Sequence, residues 1–312
     1  MFFKKLSALT ILIVIISIML CGCNAPALDN SDTIEILCTN YPLYDWVQNI
    51  TKGTDSVKVS FLLKNGVDIH SFQPTADDII KIKSSDLFIY NGGASEKYLT
   101  DIISQSNNQY ISATDVVSGS LISSEHAHAG DSHIEYDEHI WLSIKNAIQI
   151  CDTVSKKIIE IDPENSDIYI ANTTAYLAEL SELDKAYEQM TENALRGELV
   201  VADRYPFAYL MNDYGLVCHS AFPGCSDETD ASFATILSLA EKVKELQLPL
   251  VLTTDGNNND IAKMVISISE MHDIGILSLN SLQTITDEEI NSGTTYVSAM
   301  KENLEILRQT LN

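Results

Sequence analysis

Basic side chains are scarce in this chain: 19 lysines and arginines stand against 44 aspartates and glutamates in 312 residues, a formal net charge of −25. That balance excludes nucleic acid as a partner and draws cations toward any acidic cleft, besides keeping the protein soluble. Catalytic signatures are missing as well. There is no H-E-x-x-H helix, no nucleophile elbow and no general base at catalytic spacing, which argues against a hydrolase even though two histidines and a carboxylate could hold a hydrolytic zinc. Cysteine is sparse. Beyond residue 23 there are Cys38, Cys151, Cys218 and Cys225, whose spacing matches neither a metal knuckle nor a small disulfide scaffold, so their pairing stays open.

No apolar run is long enough to span a membrane in the mature protein. Leu6 to Leu20, broken by Ser7, Thr10 and Ser17, follows Lys4 and Lys5 and closes on Leu20-Cys21-Gly22-Cys23. This pattern predicts a signal peptide over 1–22 ending in a sequence similar to a bacterial lipobox, with cleavage before Cys23 and a lipid on its sulfur. Ordinary secretion without lipid is the alternative. Residues 23–33, polar with Pro26, read as a tether to the extracytoplasmic face of the cell membrane. The remaining chain, about 290 residues, suffices for one large or two smaller globular lobes.

Strand and helix patterns then alternate, which predicts an α/β protein with parallel sheets. In the first half the strands are Ile34–Thr39, Val57–Leu63, Asp86–Tyr90 and Tyr110–Ser112, with helices near Trp46, over Asp77–Ser84 and over Ser95–Ser104. The pattern stops at a polar loop, 123–138, carrying His126, His128 and His133 among carboxylates. Such a loop can hold a divalent cation loosely, or it is a solvated segment with incidental histidines. A helix beginning near Ile144 follows. From 165 to 195 a helical pattern predicts a strut of roughly 45 Å at ~1.5 Å per residue. The second half, 196–312, repeats the alternation. The organisation expected is an N-terminal lobe over 34–164, a linker helix over 165–195 and a C-terminal lobe.

Two histidines occupy telling positions. His70 lies in Gly66-Val67-Asp68-Ile69-His70-Ser71-Phe72-Gln73-Pro74-Thr75, directly after a strand, at the edge where α/β sheets bind ligands. His139 sits in Tyr136-Asp137-Glu138-His139-Ile140-Trp141-Leu142, just before a helix. A single histidine in such a loop is usually a hydrogen-bonded bystander, so the second one matters.

Together, Gly66–Thr75, Asp137–Leu142 and Val201–Leu216 resemble the substrate-binding lipoproteins of bacterial zinc and manganese ABC importers, the zinc-type cluster especially. The likeness extends over nearly the whole mature chain, through Tyr41-Pro42-Leu43-Tyr44, Tyr90-Asn91-Gly92-Gly93, the histidine-acid loop and the strut. It implies two α/β lobes joined by a rigid linker helix, His70 and His139 as metal ligands, Zn²⁺ (or Mn²⁺) as the transported ligand, a monomer, and delivery to an ABC permease and its ATPase.

The second half of the site departs from the family pattern. Where a histidine or glutamate usually follows the strand, this chain has Arg204, which has no lone pair to give a metal. Where the last strand often supplies an aspartate, it reads Leu279-Asn280-Ser281. The remaining donors at strand ends are Cys225, Asp203, Asp255 and Asn280. Cys225 leads because a thiolate suits zinc, although it could instead pair with Cys218 or remain a plain thiol; Asp203 is next. Arg204 would hold a ligating carboxylate from the outer shell. The competing reading is a diverged member acting as a surface adhesin or binding an anion beside Arg204.

Overall fold

The computed structural model describes residues 33–106, 108–123, 136–222, 224, 231–256 and 259–312. Cys23, Cys225 and the loop histidines His126, His128 and His133 lie outside the described residues. Ile34 to Asn312 form one compact unit.

The architecture is two parallel-sheet α/β lobes with a helical linker. In the first, β1 (Ile34–Cys38), β2 (Val57–Phe61), β3 (Leu87–Tyr90) and β4 (Gln109–Ser112) lie in the order β2-β1-β3-β4. The second, with β5 (Glu198–Val201), β6 (Val217–Ser220), β7 (Leu250–Thr254) and β8 (Gly275–Leu279), repeats this as β6-β5-β7-β8. Inner strands such as Leu87-Phe88-Ile89 and Leu199-Val200-Val201 are fully buried. Continuous apolar runs of this kind belong to parallel sheets covered on both faces.

Local sequence sets the helix starts. Helix α1 (Tyr41–Thr51) begins with Pro42 in its first turn and Asn40 accepting from the Leu43 N–H, while α2 (Ala76–Ser84) is closed by a reciprocal Thr75–Asp78 cap. The expected helix over Ser95–Ser104 shortens to α3 (Leu99–Ser104). Its reason is tertiary: the Ser95 N–H donates to Glu138 Oε1 at 2.7 Å and is held in a turn. Two short helices had no periodic signal, α4 (Ala113–Val116) among them. Then come α5 (Ile144–Ile161), α6 (Ser166–Glu192), α7 (Ala208–Asp213), α8 (Phe233–Leu246), α9 (Asp260–Ser269), the other short helix α10 (Asp287–Asn291), and α11 (Tyr296–Leu311).

At ~1.5 Å per residue α6 is about 40 Å long, and it is fastened to both halves. Asn172 donates to the Ile50 and Lys52 carbonyls, while Tyr187 donates to the Met300 carbonyl at 2.6 Å. The halves also share a buried aromatic seam. Trp46 packs edge-on against Tyr296 with centroids 5.2 Å apart, the Tyr296 hydroxyl donates to the Trp141 carbonyl at 2.7 Å, and Trp141 Nε1 donates to the Ser281 carbonyl at 2.8 Å. All three rings are at most 1% exposed. Each would cost about 1.5–3 kcal/mol to expose, so the seam resists a wide opening of the halves.

Candidate metal centre

The centre is built from two loops that use the same local device. In Asp68-Ile69-His70 and again in Asp137-Glu138-His139, the aspartate two residues before the histidine accepts that histidine's backbone N–H, at 2.8 and 2.9 Å. Such local carboxylate bonds stabilise a turn and fix where the following side chain starts. Gly66, with φ +75°, permits the turn that leads into the first loop.

The turns bring together imidazoles 69 residues apart in sequence. Nε2 of His70 lies 3.4 Å from Nε2 of His139, with ring centroids 5.4 Å apart and the planes tilted by 54°. Each Nδ1 has its own partner, Ser95 Oγ for His70 and Asp137 Oδ1 for His139, both at 2.8 Å. Zinc binds imidazole nitrogen at ~2.0–2.1 Å, which puts two nitrogens on one tetrahedral ion about 3.3 Å apart. The observed separation fits that requirement. Partners on Nδ1 fix ring orientation and tautomer, the usual support for a metal-binding imidazole.

His139 is 2% exposed and lies edge-on to Trp141, centroids 5.3 Å apart, whereas His70 is exposed to the cleft. Burial pushes Asp137 up, but the charge and hydrogen bonds of His139, with His70 behind it, prevail and hold its carboxyl below the usual range. One further bond ties the loops together. Glu138 Oε1 accepts from the N–H of Ser95, the residue that orients His70. Gly93, at φ +112°, passes so close that a Cβ there would lie 2.8 Å from Glu138 Cγ.

The second-lobe candidates within the described residues are each held by bonds of their own. Asp203 accepts from the Arg204 and Thr254 N–H groups at 2.8 and 3.2 Å; burial raises its pKa, opposed by those bonds and by the Arg204 charge. Asp255 accepts from the N–H and hydroxyl of Ser281, and burial raises it too, with Asp203 and Asp68 adding to the effect. Asn280 turns its amide oxygen back onto the Leu282 N–H. Among the described residues no three His, Cys, Asp or Glu side chains stand close enough to hold a metal, so Asp203 does not join the histidine pair in this arrangement. Arg204 faces Asp68 across the cleft, Nη1 to Oδ2, at 4.0 Å. Cys38, Cys151 and Cys218 form no disulfide with one another, and Cys38 and Cys151 are buried in the core.

A family model described as ZnuA, zinc-uptake complex component A periplasmic, matches residues 36–310. The chain belongs to this family. It is 28% identical over 323 residues to the high-affinity zinc uptake system protein ZnuA of Bacillus subtilis, covering 99% of this chain and 98% of that protein. The zinc-binding lipoprotein AdcA of Streptococcus pneumoniae is 28% identical over 285 residues, 89% of this chain and 56% of AdcA, so the chain spans about half the length of that relative. Its fold is similar to the crystal structure of the Zn(II)-bound ZnuA-like domain of AdcA, with TM-score 0.72, 26% identity, and coverage of 89% of this chain and 99% of that one.

Sequence reasoning passes over Ser95, Asp137, Asp68 and Gln283, whose Nε2 donates to Asp68 Oδ1 at 2.6 Å, as parts of the site. For the aspartates a signal was present, the repeated D-x-H spacing. Ser95 and Gln283 carry none, because they reach the loops only through the fold.

Proposed function

We propose that this protein is an extracytoplasmic solute-binding lipoprotein that captures Zn²⁺ between its two lobes and delivers it to an ABC permease and its ATPase. His70 and His139 would bind the ion through Nε2, with a donor from the second lobe completing the shell, Cys225 ahead of Asp203. The single observation that carries the reading is the 3.4 Å separation of the two Nε2 atoms, each ring held from behind through Nδ1. Two imidazoles plus a thiolate favour zinc over manganese, which prefers oxygen donors.

In this reading the bound metal is cargo for transport. A lipid on Cys23 would keep the protein at the outer face of the membrane, as a monomer. The names of ZnuA of B. subtilis and AdcA, zinc uptake and zinc binding, support this reading. Arg204 belongs to the wall of the site, where its charge faces Asp68.

The test is zinc binding by equilibrium dialysis with metal analysis on the wild type, His70→Ala and His139→Ala. About one tightly held zinc per wild-type chain is expected, with affinity reduced at least ~100-fold in each variant, since either change removes one of few protein ligands. Unchanged affinity in either variant would refute the proposal.

A further inference from the structure

The two D-x-H loops are anchored in different ways. Asp137 spends its Oδ1 on its own loop, accepting both the backbone N–H and Nδ1 of His139. Asp68 does not touch the His70 ring's Nδ1, which is held by Ser95. Its carboxylate reaches instead to the opposite lobe. Oδ1 accepts both the His70 N–H at 2.8 Å and Gln283 Nε2 at 2.6 Å, while Oδ2 faces Arg204 Nη1 at 4.0 Å. The backbone follows the same path, with Gly66 N–H donating to the Ile285 carbonyl at 3.2 Å. A Cβ on Gly66 would sit 3.2 Å from the Thr284 carbonyl oxygen, so the loop lies directly against residues 284–286.

We propose that Asp68 is a positioning residue that couples the His70 loop to the second lobe through Gln283 and Arg204, so that zinc affinity at His70 depends on side chains that do not ligate the ion. This rests on the reading of His70 as a zinc ligand. The physical basis is that His139 is buried and fixed within its own lobe, whereas His70 is exposed and its backbone is placed by a carboxylate whose other partners come from the opposite lobe. The 2.6 Å bond from Gln283 to this carboxylate is a short one. It removes freedom from the loop before the ion arrives, and less ordering then opposes binding. Arg204, which cannot ligate a metal, gains a role here as the charge that holds Asp68 toward the second lobe.

The test uses the mature protein and zinc alone, measured by competition with a chromogenic chelator, for Asp68→Ala, Gln283→Ala and the double variant. Each single change is expected to lower zinc affinity about 10–100-fold, the range for outer partners of metal ligands. The double variant should be no weaker than the weaker single to within about threefold, because both changes break one linkage. Zinc-edge X-ray absorption should show the same number of coordinated imidazoles and the same total coordination in Gln283→Ala as in the wild type. Wild-type affinity in either single, multiplying losses in the double, or a lost oxygen ligand in Gln283→Ala would overturn the coupling. Should Asp68→Ala fail to fold, Gln283→Leu carries the test, with affinity within threefold of wild type as the overturning result. A wild type that binds no zinc refutes the functional reading itself; a wild type that binds zinc beside unaffected variants refutes only the coupling.

Discussion

Asp45 offers a sharp test of how the two lobes are joined. It lies on α1 at the aromatic seam, 7% exposed, where the Tyr176 hydroxyl and the Tyr296 N–H each donate to its Oδ2 at 3.3 Å. Burial raises its pKa from 3.8 to about 6, and the bonds from Tyr296, Tyr176 and Tyr41 offset only part of that effect. The native state therefore holds this proton more tightly than the unfolded chain does. Stability from this group is fully present below pH ~4, declines as pH rises toward 6 and is flat above it. At about 1.4 kcal/mol for each pH unit between the two values, the ionised carboxylate costs about 3 kcal/mol at pH 7. Asp45→Asn keeps an oxygen to accept from Tyr176 and Tyr296 but cannot ionise. It should be more stable than the wild type at pH 7, by up to about 3 kcal/mol less whatever the amide loses in hydrogen bonding, and the advantage should vanish near pH 4. Urea unfolding followed by tryptophan fluorescence at several pH values from 4 to 7.5 measures the difference directly. A difference between variant and wild type that stays constant over this range would show that the folded protein does not hold the Asp45 proton more tightly than the unfolded chain.

Two further perturbations probe the loops around the histidines. Gly93→Ala adds a methyl group 2.8 Å from Glu138 Cγ at a left-handed φ of +112°, and should cost about 1–3 kcal/mol in thermal or urea unfolding while weakening zinc binding; unaltered stability would show that Glu138 yields without cost. Deleting 124–135, which carries His126, His128 and His133, should slow zinc capture in stopped-flow measurements more than it weakens the final affinity, because an acidic loop acts by gathering cations. Equal on-rates with and without the loop would remove it from the mechanism.

The parts of the fold that could be read in the sequence were those governed by local pattern. The buried runs of β1, β3, β5 and β7, the 3.6-residue periodicity of α5 and α6 and the turn after Gly66 each follow from neighbouring residues alone. Short helices such as α10, made by a cap and little else, give no periodic signal, and α3 lost its first turn to a bond with Glu138 that comes from 43 residues away. The site divided along the same line. His70 and His139 sit in recognisable motifs, and the aspartate before each was visible as a repeated spacing. Ser95, Gln283 and the place of Arg204 opposite Asp68 depend on which loops the two sheets bring together, and no local spacing encodes that.

Whether His70 and His139 share one ion can be read directly by diffraction from zinc-loaded crystals on either side of the zinc absorption edge. An anomalous peak is expected between the two lobes within about 2.0–2.1 Å of Nε2 of both His70 and His139. A peak that touches only one of these nitrogens, or neither, would contradict it.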